Sequence, residues 1–330
     1  MNGAIVTAEP KSAVGKFQNP DWTARGEARA RVKLESLDTL WINTGTLCNI
    51  TCQNCYIGSS PRNDRLSYIT RAEARRFLDE IQQLDLGTRE IGFTGGEPFL
   101  NPDCTGMIED ALSLGFRVLV LTNAMQPMQR PKVKARLLDL SKRFANKLTI
   151  RVSLDHYSPP LHDAERGPGS FKRTTLGIDW LASKGVSIAI AGRTCWGESE
   201  AETRPGYAAL IAQRQWPIDS TNPDQLVLFP ELDEHADIPE ITTECWGLLG
   251  KRPGEMMCAS SRMVVKRKGE DRPVVLPCTL LPYDPRFEMG ATLAQSLSRD
   301  GGMFDQGAVK LCHPHCAKFC VLGGGSCAAR

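Results

Sequence analysis

The sequence has no apolar run that approaches the ~20 residues needed by a membrane-spanning helix. Its first residues, Met1 to Phe17, also lack the apolar stretch of roughly 7–15 residues that characterises a signal peptide. Lysine and arginine number 40 against 38 aspartates and glutamates, so the formal net charge is only +2. No broad basic field is available for nucleic acid or anionic lipid. These absences predict a cytoplasmic protein with neither a membrane nor a nucleic-acid partner.

Cysteine, in contrast, is abundant. The 330 residues include 12 cysteines, and 41% of the residues are hydrophobic while 24% are charged. These fractions are typical of a globular protein with a substantial core, and the length suits one large α/β domain with a small appendage. Because the cytoplasm is reducing, the cysteines are better explained as metal ligands than as a disulfide framework.

Three of the cysteines, Cys48, Cys52 and Cys55, follow an apolar segment with C-x3-C-x2-C spacing. Clustered thiolates suit zinc or an iron–sulfur cluster, and three of them leave one iron of a four-iron cluster open to another ligand. The alternative is a helix with a buried cysteine face, because the three positions lie at i, i+4 and i+7. The poor helix formers Asn49 and Asn54 favour a loop instead.

Strand-like and helix-like segments alternate along the chain after residue 39. Most of the strand-like runs are almost continuously apolar and β-branched, as in parallel strands covered on both faces. Helix signals lie between them: a capping box at Thr70–Glu73, Pro131 in a first helical turn, and Ser170 as an N-cap. Six such units, where a closed barrel has eight, predict a partial (β/α)6 TIM-like barrel of the α/β class. The predicted strands are Leu40–Thr44, Glu90–Thr94, Phe116–Thr122, Leu148–Leu154, Val186–Ala191 and Gln225–Phe229, and the first helix should bury Phe77, Leu78, Ile81 and Leu84.

In such folds ligands bind at the carboxyl ends of the strands, where this sequence has its unusual residues. The Gly95-Gly96 pair after the second strand lets a ligand approach the backbone closely, and Glu97, before Pro98, offers a carboxylate to an ammonium group. The alternative is an ordinary turn between a strand and a helix. Asn123 follows the third strand and is grouped with the candidate cofactor residues. The candidate wall residues of a substrate site are Asp155, Arg193 and Glu231.

The cysteine loop and the Gly95–Pro98 motif about 40 residues later together resemble the radical S-adenosylmethionine (SAM) superfamily. The resemblance implies that Cys48, Cys52 and Cys55 hold a 4Fe-4S cluster whose open iron is chelated by SAM. It also implies that the Gly95–Pro98 motif binds the methionyl amino group, and that a donor such as flavodoxin or ferredoxin supplies an electron. The 5′-deoxyadenosyl radical that results would abstract hydrogen from a substrate. Asn54 departs from the pattern, because many members carry an aromatic residue there, and the departure concerns the local adenine contact.

Two further residues resemble the branch of that superfamily with auxiliary clusters. By this resemblance Ser153 lies near the SAM ribose, and Arg166 meets the SAM carboxylate, a contact that suits the two-pronged guanidinium. The alternative for Arg166 is a local ion pair with Asp163 or Glu165. Asp155 is a candidate substrate contact or proton acceptor, and the sequence identifies no catalytic acid or base.

A second group of cysteines lies in the last quarter of the chain and strongly suggests further metal ligation. Its spacing resembles the start of the SPASM and Twitch auxiliary-cluster domains, although the glycine-to-cysteine gap and the terminal spacing both differ. The group predicts one auxiliary 4Fe-4S cluster, with a zinc site in the terminal four cysteines as the alternative. A second auxiliary cluster would need an open iron or recruitment of Cys245, His313 or His315. We expect Cys104 and Cys195 to be packed thiols and a hairpin to join Met263–Lys266 to Val274–Leu276. The predicted ligands are Cys258, Cys278, Cys312, Cys316, Cys320 and Cys327.

These motifs predict three regions: a solvated N-terminal extension over 1–38, the partial barrel over 39–231, and a small cysteine-rich auxiliary-cluster domain over 232–330. The predicted function is a radical SAM oxidoreductase or maturase. The extension falls below the ~40 residues at which independent folding becomes rare, so a fused leader-recognition domain is not expected. The substrate is then a small molecule or short peptide, which we favour, or a peptide delivered by a partner protein. A non-catalytic zinc module and a plain electron carrier are the competing classes.

Overall fold

Eleven strands and nine α-helices build the part of the chain that the computed structural model describes, which is residues 15–194, 196–230 and 237–324. No helix in these ranges is both long and apolar enough to cross a membrane. The strands are β1 Arg31–Val32, β2 Thr39–Asn43, β3 Glu90–Thr94, β4 Arg117–Thr122, β5 Leu148–Ser153, β6 Ser187–Arg193, β7 Leu226–Phe229, β8 Ser261–Val265, β9 Val274–Leu276, β10 Phe304–Asp305 and β11 Ala308–Lys310. The helices are α1 Arg71–Gln83, α2 Cys104–Ser113, α3 Gln126–Gln129, α4 Pro131–Arg143, α5 Pro159–Arg166, α6 Ser170–Ser183, α7 Glu200–Arg214, α8 Cys245–Leu249 and α9 Leu293–Ser298.

Strands β2 to β7 pair in parallel in chain order, with helices between successive strands. Each predicted strand is present within two residues of its predicted bounds, so the partial (β/α)6 barrel is confirmed. The apolar strand residues are buried on both faces, because helices cover one side of the sheet and the opposite faces of the strands meet inside. All carboxyl ends of these strands therefore lie at one edge of the barrel.

The helices begin largely where the sequence places them. Thr70 Oγ1 accepts a hydrogen bond from the Glu73 N–H at 3.3 Å, and Glu73 Oε2 accepts one from the Thr70 N–H at 2.9 Å, so the predicted capping box closes. The predicted burial of Leu84 is wrong, because helix α1 ends at Gln83 and the Leu84 side chain turns outward, 41% exposed. The N-cap of α6 is Gly169 rather than the predicted Ser170, which lies in the first turn.

The predicted hairpin in the C-terminal region is confirmed, since β8 and β9 pair antiparallel. Its position is unexpected, because β8 also pairs in parallel with β2 along the barrel edge. The sheet order is accordingly β7-β6-β5-β4-β3-β2-β8-β9. The C-terminal region therefore extends the barrel sheet instead of folding beside it.

The prediction of a solvated N-terminal arm is wrong over the described residues 15–38. Strand β1 pairs antiparallel with β11, and Ala30 and Val32 are fully buried. The Arg29 side chain, 1% exposed, forms an ion pair with Glu240 at 2.5 Å. This segment packs against the C-terminal region, and its partners lie more than 200 residues away in the sequence. Local sequence patterns therefore do not indicate that it is buried.

Candidate active site

One open cavity lies at the carboxyl edge of the barrel, and most of the predicted site residues meet there. Its volume is about 1070 Å³ when the solvent at its mouth is included. Glu97 and Pro98 are the predicted cofactor residues that do not line it, and Glu231 lies outside the described residues. The predicted residues in the wall are Cys48, Cys52, Cys55, Gly95, Gly96, Asn123, Ser153, Asp155, Arg166 and Arg193.

The cysteine loop is anchored to the end of helix α5. The Gln53 N–H donates to the Glu165 carbonyl oxygen at 2.9 Å. The backbone N–H and side-chain amide of Asn54 each donate to the Glu165 carboxylate at 2.8 Å. Glu165 is buried, so these charge-assisted bonds are shielded from water. Asn54, at the position where an aromatic residue is common, thus fastens the loop; nothing in the sequence pairs it with a residue 111 positions away.

The two glycines allow the second motif to lie directly against the cysteine loop. The Gly96 N–H donates to the Gly45 carbonyl at 2.8 Å, and the Glu97 N–H donates to the Leu47 carbonyl at 3.0 Å. A Cβ on Gly96 would lie 2.2 Å from the Leu47 oxygen, and one on Gly95, whose φ is +142°, 2.4 Å from the Gly45 oxygen. The sequence predicted that these glycines let a ligand approach the backbone. In the structure they let the Gly95–Gly96 backbone pack against the backbone of Gly45 and Leu47.

Glu97 turns away from the cavity and joins β3 to β4. Its carboxylate accepts hydrogen bonds from the Thr122 hydroxyl at 2.8 Å, the Asn123 N–H at 2.9 Å and the Phe99 N–H at 3.3 Å. Burial raises the pKa of Glu97 to about 7, although these three donors favour the ionised form. The geometry does not support the predicted ammonium contact, because Glu97 does not line the cavity and its carboxylate already accepts three hydrogen bonds. Pro98 begins a 3₁₀ turn over Pro98–Leu100.

Asn123 connects the Glu97 carboxylate to the cysteine loop. While its backbone is fixed by that carboxylate, its side-chain amide donates to Asn49 Oδ1 at 2.9 Å and lies 3.8 Å from Cys48 Sγ. The end of β4 thus supports the first cysteine of the loop.

A buried ion-pair network forms the wall opposite. Asp155 accepts two bonds from Arg166, from Nε at 2.5 Å and from Nη2 at 2.9 Å, and Arg193 Nε lies 3.6 Å from Asp155 Oδ1. Burial acts to raise the pKa of Asp155, but the two guanidinium groups hold it below its usual value. The predicted alternative partners of Arg166 are wrong: Glu165 binds Asn54, and Asp163 caps the start of α6.

The loop thiols suit a cluster better than a single metal ion. Among the residues that the structure describes, no three His, Cys, Asp or Glu side chains come close enough to share one ion. In a four-iron cluster each thiolate binds its own iron, so three thiols spaced around one cavity satisfy that requirement. Burial raises the pKa of Cys48 to about 12 and that of Cys52 to about 11 despite the nearby Arg166, so the thiols need a cationic partner to ionise.

A second, smaller cavity lies in the C-terminal region and has four thiols in its wall: Cys258, Cys278, Cys316 and Cys320. All four are buried. The predicted ligand Cys312 is not among them, and its thiol lies within hydrogen-bond distance of two backbone oxygens, that of Phe17 at 3.3 Å and that of Asn19 at 3.4 Å. Cys104 is a fully packed thiol, as expected, whereas Cys195 and Cys327 lie outside the described residues.

The four thiols satisfy a four-iron cluster in number, and a buried arginine beside them supports an anionic occupant. Arg262 is fully buried, and its Nη1 donates to the Cys258 carbonyl oxygen at 2.7 Å. Within the part of the chain that the structure describes, its Nε and Nη2 have no hydrogen-bond partner. Burial lowers the pKa of Arg262 to about 10, while the Cys258 and Cys278 thiols act in the opposite direction.

This arrangement predicts which cysteines hold the auxiliary metal. The double variant Cys316→Ala/Cys320→Ala should lose about four of about eight irons after reconstitution, because one cluster loses half its ligands. Iron and acid-labile sulfide analysis measures the loss. The matched variant Cys245→Ala/Cys312→Ala removes two thiols outside the cavity and should keep its iron. Equal losses in the two variants would show that the four thiols are not the ligands.

One helical segment joins the two cavities. Residues Cys316–Leu322 form a π-helix, in which Cys316 and Cys320 face the four-thiol cavity. Phe319, between them, lines the barrel cavity and stacks on Phe229 at the end of β7, with ring centroids 5.8 Å apart. The C-terminal region therefore contributes to the wall of the barrel site as well as to its own cavity.

Fold and site together define an α/β-barrel protein with an iron–sulfur type of cysteine loop. Residues 42–197 match the sequence model of the Radical SAM superfamily. Enzymes of this superfamily use a four-iron cluster together with SAM.

Two relatives in sequence and one solved structure with a similar fold illustrate the match. The antilisterial bacteriocin subtilosin biosynthesis protein AlbA of Bacillus subtilis is 29% identical over 145 residues, which are 44% of this chain and 30% of AlbA. The mycofactocin maturase MftC of Mycobacterium ulcerans is 30% identical over 142 residues, 43% of this chain and 36% of MftC. The matched segments thus span about a third of those two proteins. Streptococcus suis SuiB bound to its precursor peptide SuiA has a similar fold, with a TM-score of 0.58 and 13% identity over 81% of this chain and 66% of SuiB.

Proposed function

We propose that this chain is a radical SAM peptide maturase with one auxiliary four-iron cluster of the SPASM/Twitch type. The observation that carries the proposal is the convergence of three loop thiols, the glycine motif and a cationic wall on one cavity. When bound there, the cluster and SAM would supply a 5′-deoxyadenosyl radical. The chain's own residues then hold the cofactor, exclude water and position the substrate. The work would take place in the cytoplasm, where thiols stay reduced.

The proposed cofactor contacts follow from the hydrogen-bonding groups that each residue presents to the cavity. Arg166 binds Asp155 through Nε and Nη2, and its third nitrogen, Nη1, is the proposed donor to the SAM carboxylate. Gly95 and Gly96 present backbone to the cavity for the methionyl amino group, in place of the Glu97 carboxylate. Ser153 lines the cavity from the end of β5 and is the proposed ribose contact.

The relatives favour a peptide over a small molecule. AlbA is named for the biosynthesis of the bacteriocin subtilosin and MftC as the mycofactocin maturase, and the solved SuiB complex contains a precursor peptide. The cavity is open at its mouth, which suits a segment of a longer chain. An external donor, flavodoxin or ferredoxin, would supply the electron, and the peptide could be delivered by a separate partner protein.

Deuterium transfer tests the substrate class. Two fractions from a host grown in D₂O, one of genetically encoded peptides and one of small metabolites, are incubated with reconstituted enzyme, SAM and dithionite. Deuterium should enter 5′-deoxyadenosine from the peptide fraction only, and protease treatment of that fraction should abolish the transfer. Mass spectrometry of 5′-deoxyadenosine measures it. Label arising from the protease-treated or metabolite fraction alone would contradict the peptide assignment and favour a small molecule.

A further inference from the structure

Arg262 occupies a position where a charged side chain is unexpected. It is the second residue of β8, and its backbone is paired with Leu40 of β2, so the side chain cannot swing out to solvent without breaking the barrel sheet. The side chain is 0% exposed. Burying a guanidinium requires compensation by hydrogen bonds or an opposite charge, because the group stays ionised in proteins.

The hydrogen bonds around Arg262 are incomplete. Nη1 donates to the backbone oxygens of Cys258 at 2.7 Å and Ser261 at 2.8 Å. Nε and Nη2, which carry three of the five N–H groups, have no hydrogen-bond partner among the described residues. No carboxylate among the described residues lies within 4.0 Å of the guanidinium.

The other fully buried arginine near this region shows what a satisfied guanidinium looks like in the same protein. Arg29 donates from Nε to the Asn19 oxygen at 2.9 Å and from Nη1 to the Leu311 oxygen at 3.2 Å. Its Nη2 binds the Trp22 oxygen at 3.0 Å and the Glu240 carboxylate at 2.5 Å. Every nitrogen of Arg29 is partnered, whereas Arg262 lacks both the anion and two of the contacts.

The four-thiol cavity offers the missing anion. Arg262 is held against the carbonyl of Cys258, and the Cys258 and Cys278 thiols both line the cavity. Four thiolates around a four-iron core carry a net charge of about −2 when the cluster is oxidised and about −3 after it takes up one electron. A buried cation beside the cluster stabilises both states and stabilises the more negative one more strongly.

We infer that Arg262 is the counter-charge of the auxiliary cluster and raises its reduction potential. The inference rests on the proposed function only in that a four-iron cluster fills this cavity. In the titration that tests the inference, titanium(III) citrate would supply the electron and be oxidised to titanium(IV). One electron enters the cluster and no bond to Arg262 forms or breaks.

The test measures a potential rather than turnover. In the Cys48→Ala/Cys52→Ala/Cys55→Ala background only the auxiliary cluster remains, and its midpoint is followed by electron paramagnetic resonance. Arg262→Met should make one-electron reduction at least about tenfold less favourable, a downward shift of about 59 mV or more. Arg262→Lys keeps a charge and should recover most of the shift. Arg89→Met, on an exposed arginine of the barrel, is the matched control and should leave the potential unchanged.

The outcomes separate the two proposals. A background protein that holds zinc or no iron would overturn the proposed auxiliary cluster itself. Four irons retained with an unchanged midpoint in Arg262→Met would overturn the role of Arg262 alone. If Arg262→Met cannot hold the cluster, the iron content of Arg262→Gln and Arg262→Lys tests the role of the charge instead. Iron retained only by the lysine variant supports a counter-charge, and iron lost from both variants overturns it.

Discussion

Replacing Cys48, Cys52 and Cys55 together with alanine should abolish the formation of 5′-deoxyadenosine from SAM and leave about four irons in the chain. The three thiols line one cavity, and no other thiol of the described residues lines it, so nothing replaces them as ligands. The auxiliary cavity uses different cysteines and should fill independently. Chromatography of 5′-deoxyadenosine and iron analysis on the same anaerobic preparation measure both effects.

The control for this experiment is the Cys245→Ala/Cys312→Ala variant, which removes two thiols outside both cavities and should cleave SAM normally. Two results would contradict the assignment. Undiminished SAM cleavage in the triple variant would remove the cysteine loop from the chemistry. One zinc and no iron remaining in the triple variant would turn the second cavity into a structural zinc site.

Gly96→Ala should reduce the rate of SAM cleavage by at least about 100-fold while the barrel remains folded. The new methyl group would lie 2.2 Å from the backbone oxygen of Leu47 and 2.6 Å from its carbonyl carbon. A backbone atom cannot move aside as a flexible side chain can, so Leu47 must shift and Cys48 must follow it. A displacement of this kind, about 1 Å, is enough to disturb a reacting geometry.

Single-turnover formation of 5′-deoxyadenosine measures the effect of Gly96→Ala, and circular dichroism verifies the fold. Gly247→Ala is the matched control, because a Cβ there meets nothing within 4 Å and the backbone has no positive φ. A Gly96→Ala enzyme within a few-fold of the wild-type rate would show that the loop does not depend on this backbone contact.

The barrel could be predicted from the sequence because its signals are local. Runs such as Phe116–Thr122 are largely apolar and β-branched, and the capping box at Thr70 fixes a helix start within four residues. The spacing of Cys48, Cys52 and Cys55 likewise stands within eight residues of chain. Each of these features needs no knowledge of distant neighbours, so pattern reading identifies them.

The contacts that hold the site are the part the sequence could not predict. Asn54 binds Glu165, which lies 111 residues away in the sequence. Arg166 pairs with Asp155 and not with Asp163, which is closer to it in the sequence. Asp155 is buried beside Arg166, whereas the Asp163 carboxylate accepts hydrogen bonds at the start of α6. The spacing of the cysteines also does not predict that Cys316 lines the second cavity while Cys312 does not. The π-helix that presents Cys316 to this cavity begins only at that residue.

The parallel pairing of β2 with β8 joins the barrel and the C-terminal region in one continuous sheet. β2 lies between β3 and β8 instead of at the edge of the barrel, so its hydrogen-bonding groups are used on both sides. A fragment cut after the barrel would uncover a flat, apolar strand edge that invites aggregation. The loop that carries Cys48 begins a few residues after this same strand. A region in this position therefore has to supply a strand as well as cysteines, because β8 covers the edge of the strand that leads into the Cys48 loop.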